Sequence, residues 1–301
     1  KNIAGDKLDV ESIVPIGGDP HIYDPTPRDA KLVVSADLVL MNGLTFEGWL
    51  SALIENSGTK AKTILVTKGI KAIESLDYKN STDPHAWMDL TLGYQYILNI
   101  KNAFSELDPA NKVYYEARYD AYLQQLKDAD KYIMEKVKTI PEERRILITS
   151  HDAFQYYGRR YGIKLEAVMG VSTDAEIKTS DVTRLNRVLA ESKVPAVFIE
   201  STINPKFLNQ LAKDNDVVIG GELFADSLGD EDSDGSTYID MLKHNTDVIV
   251  AALTRDLATA DEGYAHGKDG SSSPLTRWAI FGVLGLLSVG GFIFMLKNVK
   301  S

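Results

Sequence analysis

Cysteine is absent from all 301 residues. Its absence removes disulfides, thiolate metal sites and thiol nucleophiles together, and leaves imidazole and carboxylate as the only strong metal ligands. Positive charge is also scarce. Lys plus Arg number 33 against 43 Asp plus Glu, a net charge of −10, which argues against a nucleic-acid partner held through phosphate contacts. Phosphate-cradling G-x-x-x-x-G-K-[ST] loops, G-x-G-x-x-G fingerprints, nucleophile elbows and H-E-x-x-H helices are missing as well. What remains is an ordinary globular composition, 44% hydrophobic and 25% charged, over a length that predicts two domains or lobes.

One stretch departs from that average. Trp278 to Leu296 is a run of 19 uncharged residues, WAIFGVLGLLSVGGFIFML, between Arg277 and Lys297. As a helix it would span about 28 Å, close to the hydrocarbon thickness of a bilayer. It is read as a transmembrane helix, because buried core helices are usually shorter and amphipathic and this one follows a Gly/Ser-rich linker. Lys297 and Lys300 after the span favour a short tail inside and the large domain outside. Residues 259–277 then form the linker, 278–296 the span and 297–301 the tail.

Upstream, short apolar runs at Leu38–Met41, Thr63–Val66, Ile146–Thr149, Ala196–Ile199 and Val217–Ile219 alternate with helix-length segments. That is the pattern of βα units around mostly parallel sheets buried on both faces, so the fold class is α/β. After Asp108-Pro109, apolar residues repeat at spacings of three and four (Tyr115, Tyr119, Tyr122, Leu126, Ala129, Ile133, Val137) until Pro141. Asp108 as N-cap and Pro109 at the first position predict one helix roughly 43 Å long, longer than a single lobe needs. The expected organisation is an N-terminal lobe at 1–108, a rigid connecting helix at 109–140 and a C-terminal lobe at 141–258.

Three of the five histidines recur in equivalent settings. His21 lies in GGDPHIYDPTPRD after the apolar run Ile13 to Ile16, which is expected to end a strand. His85 lies in a second Asp-Pro-His triplet, DPHAWMD, just before a helical segment. His151 follows the strand RILITS, and Asp226 follows the strand DVVIG and a Gly pair. Loops at the carboxyl ends of strands are where open α/β folds place ligands, and proline restricts the backbone beside an imidazole that must not move. His244 and His266 lack this context and are read as structural or exposed.

At these motifs the chain resembles the cluster A-I, or TroA-like, solute-binding proteins of ABC transporters for zinc and manganese, and most of all their treponemal branch. The resemblance covers Lys1 to about Leu257 and rests on GGDPHIYDPTPRD, ADLVLMNGLTFEGWL, DPHAWMD, SHDAFQYYGRRYG, VFIEST and GELFADSLG in order. It implies two α/β lobes joined by one long helix, with His21 and His85 from the first lobe and His151 and Asp226 from the second meeting one divalent metal ion as transported cargo. It also implies an extracytoplasmic monomer, an ABC permease and its ATPase as partners, small lobe motion, and no catalysis. Manganese-selective relatives carry a Glu where this chain has Gly170, so the third ligand is expected to be His151. Relatives have a strand and helix ahead of the segment matching KNIAG, so the expectation is either a fragment of a longer chain or a first lobe short of its first strand. With no lipid-bearing Cys in the sequence, membrane attachment is expected to rest on Trp278–Leu296 or on an N-terminal segment ahead of Lys1. Three imidazoles and a carboxylate favour zinc in vitro and also accept manganese. A membrane-anchored zinc hydrolase and a metal-binding surface adhesin stand as the alternative readings.

Overall fold

The computed structural model describes residues 1–74, 82–174 and 176–255. The apolar run Trp278–Leu296 and His266 lie outside the described residues. Among those described, no helix is long and apolar enough to cross a membrane.

The chain folds as three βαβ units and a helical layer. Strand β1 (Leu38–Met41), helix α2 (Gly48–Ser57) and strand β2 (Lys62–Leu65) follow helix α1 (Pro27–Ser35). Helices α3 (Leu90–Leu107) and α4 (Lys112–Val137) come next, and then β3 (Ile146–Thr149), α5 (Gln155–Tyr161) and β4 (Lys164–Ala167). The last unit is α6 (Thr179–Glu191), β5 (Ala196–Glu200), α7 (Lys206–Asp214) and β6 (Val218–Leu223), closed by α8 (Tyr238–Thr254). Each strand pair, β1 with β2, β3 with β4 and β5 with β6, is parallel and spanned by one helix. A parallel pair needs such a crossover, which is why strand and helix signals alternate along the sequence.

Burial on both sheet faces explains the apolar strand runs. Successive strand residues point to opposite sides. In the second half Leu147, Ala196 and Phe198 face one core with α4, α5 and α8, while Ile148 and Val197 face a second core with Leu185 and Leu189 of α6 and Leu208 and Leu211 of α7. Removing a methylene-rich side chain such as Ile148 from water contributes about 1.5–3 kcal/mol.

Helix α4 runs 26 residues, about 39 Å. It buries Tyr115, Tyr122, Leu126, Ala129, Ile133 and Val137 against α3 and α8, while Tyr119 is only partly buried. Its start differs from the expectation: Pro109–Asn111 form a separate 3-10 turn. The Asp108 carboxylate accepts from the Asn111 side chain at 2.7 Å and the Tyr115 hydroxyl at 2.8 Å, bonding side chains rather than a helix N–H. Ile13–Ile16 is a bend and turn, not a strand. Pro15 has no N–H to give a ladder, its carbonyl accepts from Gly18 N–H in a tight turn, and Ile16 is half exposed. Strand β4, KLEA, carries no apolar run and exists through its pairing with β3. The Gly220-Gly221 pair lies inside β6 rather than after it. Gly220 packs against Phe198 and Ala252 and is the extra residue where the register against β5 shifts, Val197 pairing with Ile219 and Phe198 with Gly221.

Candidate metal centre

Two Asp-Pro-His triplets build the same turn. In each, the Asp two residues before the histidine accepts the histidine's backbone N–H: Asp19 Oδ1 from His21 at 2.9 Å and Asp83 Oδ1 from His85 at 2.9 Å. The side chain thereby mimics a backbone turn, and the intervening proline stiffens it. The second triplet opens the 3-10 turn Ala86–Met88 that leads into α3, whose N-terminus Asp89 caps by accepting from Thr91 N–H at 2.8 Å. Asn42, just past β1, donates to Pro84 O at 3.1 Å and ties the strand's carboxyl end to that turn.

The other two candidates arrive from parallel strands. His151 lies two residues beyond β3 and Asp226 three beyond β6, and Glu200 is the last residue of β5. All three strands therefore aim their carboxyl ends at one place. There the structure brings together His21, His85, His151 and Asp226, with one potential ligand atom from each inside a sphere of 4.8 Å mutual separation. Their side chains are at most 3% exposed. His244 stands apart on α8, with Nε2 3.4 Å from Glu222 O and its ring against Phe224.

Distances within the cluster have a chemical meaning. His85 Nε2 lies 3.3 Å from both His21 Nε2 and His151 Nε2, and Asp226 Oδ1 and Oδ2 lie 3.2 Å from His85 Nε2 and 3.1 Å from His151 Nε2. Donors bound tetrahedrally at 2.0–2.1 Å from one ion sit about 3.3–3.4 Å apart. The contact from His21 Nε2 to Asp226 Oδ2 is longer, 3.7 Å. Both Asp226 oxygens are fully buried and face imidazole Nε2 atoms, so protonated rings or a cation bound in place of those protons must serve the carboxylate. The four side chains thus fit a divalent ion by donor type and spacing.

Two carboxylates behind the imidazoles, Asp83 and Glu200, were not singled out in the sequence. Asp83 Oδ1 lies 2.7 Å from His85 Nδ1. Glu200 Oε2 lies 2.6 Å from His151 Nδ1, and its Oε1 accepts His151 N–H at 2.9 Å. Each occupies Nδ1 and leaves Nε2 facing the cluster, the arrangement that orients histidine ligands toward metals. Asp83 was legible as the leading residue of the repeated triplet. Glu200 was legible only as a lone charge ending an apolar strand.

These carboxylates also govern protonation. Burial pulls the His21 imidazole down to about 4. Burial acts in the same direction on His85, but hydrogen bonds donated to Asp226 and Asp83 outweigh it and raise that group to about 9. His151 is likewise raised, with burial opposed by the charges of Glu200 and Asp226. Asp226 is held well below the usual carboxylate range: burial raises it, and the adjoining His151 and His85 overcome that.

A family described as zinc-uptake complex component A, periplasmic (ZnuA), matches residues 1–252. The manganese-binding lipoprotein MntA of Halalkalibacterium halodurans is 37% identical over 255 residues, covering 85% of this chain and 84% of that one. The metal ABC transporter substrate-binding lipoprotein SsaB of Streptococcus sanguinis is 36% identical over 263 residues, with 85% of each covered. Among solved structures, the periplasmic zinc-binding protein TroA of Treponema pallidum superposes with a TM-score of 0.80 at 36% identity, over 84% of this chain and 94% of that one. A manganese-bound periplasmic metal-binding protein of Candidatus Liberibacter asiaticus gives 0.76 at 31% identity over the same shares. With a family match across both halves and a two-lobed α/β fold shared with TroA, the chain belongs to the ZnuA family of cluster A-I zinc and manganese solute-binding proteins.

Proposed function

We propose that this protein captures one divalent metal ion, zinc or manganese, outside the membrane through His21, His85, His151 and Asp226, and hands it to an ABC permease driven by its ATPase. The carrying observation is the buried cluster itself: three imidazole nitrogens and a carboxylate at metal-ligand spacing, with both Asp226 oxygens lacking any other partner. A hydrolytic zinc site keeps one position open for water. Here Asp226 supplies a fourth protein ligand, which suits carriage of the ion and not catalysis.

Nitrogen-rich donors favour zinc over manganese in affinity, so zinc is the tighter partner in vitro. The two Asp226 oxygens face different imidazoles, Oδ1 toward His85 and Oδ2 toward His151. Engagement of both would raise the coordination number to five and admit manganese. The run Trp278–Leu296 supports attachment to the membrane by a C-terminal helix.

His151→Ala should lose most of its zinc affinity in isothermal titration while its circular dichroism stays native; undiminished binding would refute the ligand assignment. In its own cell, deletion of the protein should lower uptake of the metal it retains on isolation, and His151→Ala should not restore it. Chelator-sensitive turnover of ester or phosphate substrates would instead favour an enzyme.

A further inference from the structure

The two Asp-Pro-His turns are held differently. The His85 turn is tied from several elements. Asn42 donates to Pro84 O, the Tyr156 hydroxyl to Asp83 O at 3.0 Å, the Trp87 ring N–H to Ala225 O at 3.1 Å, and the Tyr238 hydroxyl to Trp87 O at 2.5 Å. The His21 turn is held in its own half by the Trp49 ring N–H, which donates to Pro20 O at 2.7 Å. Two further bonds reach it from the opposite half: the Thr173 hydroxyl donates to Asp19 Oδ2 at 2.6 Å, and Gly17 N–H donates to Ser227 Oγ at 2.7 Å.

These anchors have a logic. Thr173 lies in the loop that follows β4, and Ser227 directly follows Asp226. Asp83 gives one oxygen to both the backbone N–H and the ring of its histidine, whereas Asp19 divides its oxygens between His21 N–H and Thr173. His21 is also the candidate ligand on the solvent side. Its side chain is 3% exposed where those of His85, His151 and Asp226 are 0%, Ile22 beside it is 58% exposed, and its Nε2 has the longest contact to Asp226. Gly17 at φ 78° gives the turn a pivot in a conformation that other residues resist.

We infer that the Asp19–Thr173 and Gly17–Ser227 hydrogen bonds form a strap that times metal entry and release by holding His21 over the cluster, with Thr173 as the principal positioning residue. The inference rests on His21 being a ligand, as proposed above. When the strap opens, His21 Nε2 would leave the ion and water would take its position; the ion, then held by His85, His151 and Asp226 alone, would exchange those three for water or an acceptor's ligands on the side His21 vacates. A weakened strap therefore accelerates both directions of exchange. A residue with only a structural role would instead weaken affinity without speeding association.

Stopped-flow measurement of zinc association, and of zinc release to excess chelator, on the full chain in detergent tests this. Thr173→Val should speed both rates by roughly tenfold, the scale of one charge-assisted hydrogen bond, with the dissociation constant nearly unchanged. Thr173→Ser should restore wild-type rates, and Ser227→Ala should move both rates in the same direction as Thr173→Val. Unchanged rates in Thr173→Val and Ser227→Ala, or slower association with weaker binding, would overturn the strap. Should Thr173→Val fail to fold, Ser227→Ala decides alone. His21→Ala tests the underlying reading separately: wild-type zinc affinity there would remove His21 from the ligand set, whatever the strap variants do.

Discussion

Imidazoles with one nitrogen against a carboxylate and the other toward a shared centre are the residue-level basis of this protein. Asp83 and Glu200 decide both the direction in which His85 and His151 donate and how strongly those rings hold a proton. Asp83→Asn and Glu200→Gln should each weaken zinc binding about 10–100-fold, a range found for such supporting partners, with the fold kept; titration calorimetry beside circular dichroism measures both. Protonation supplies a further prediction. Unperturbed histidines would lose affinity as pH falls through about 6.5. In this cluster His85 is raised to about 9 and His151 is also raised, so at pH 7 the metal-free site holds protons on both rings that the ion must displace. His21, lowered to about 4, has none to give. Apparent affinity should therefore keep rising from pH 6 toward about 9, and calorimetry in buffers of different ionisation enthalpy should detect proton release at pH 7. An affinity flat above pH 7 would contradict this.

Among the elements, α4 carries the most. Its period was legible from Tyr115 to Val137, because every third or fourth residue had to be apolar to lie against α3 and α8. Asp130, buried on the same stripe, interrupts that pattern. Its carboxylate accepts from Arg160 Nε at 3.1 Å and from the Tyr161 hydroxyl at 2.9 Å, pinning α5 to α4, and Arg160 also lies 3.9 Å from Asp89, the cap of α3. Asp130→Ala leaves Arg160 and Tyr161 without their main partner and should cost about 1–3 kcal/mol in urea unfolding. Zinc stoichiometry should stay at one, since no candidate ligand belongs to this network. Strand β4 was illegible for the opposite reason: with only Leu165 and Ala167 apolar, KLEA gains strand character from β3 and from no preference of its own.

Across the whole molecule, the order of parts follows from parallel pairing. Three βαβ units and a long helix place carboxyl ends of β3, β5 and β6 beside the two Asp-Pro-His turns. Removing residues 278–296 should free the protein from membranes in a carbonate wash. Retention of the truncated chain in the pellet would assign attachment elsewhere. Metal-free and zinc-loaded forms should show the same radius of gyration in small-angle scattering, because exchange at His21 needs one turn to move and not a lobe. By itself the sequence determined the α/β class, the long helix, the ligand chemistry and the four candidate residues, since periodicity, missing cysteine and repeated triplets are local properties of the chain. Tertiary structure alone decided which carboxylate stands behind His151, which ligand histidine lies nearest the surface and which hydroxyl reaches Asp19. Glu200 lies 49 residues from His151, and Thr173 lies 154 from Asp19; such pairs are set by the packing of elements, which no short window of sequence encodes.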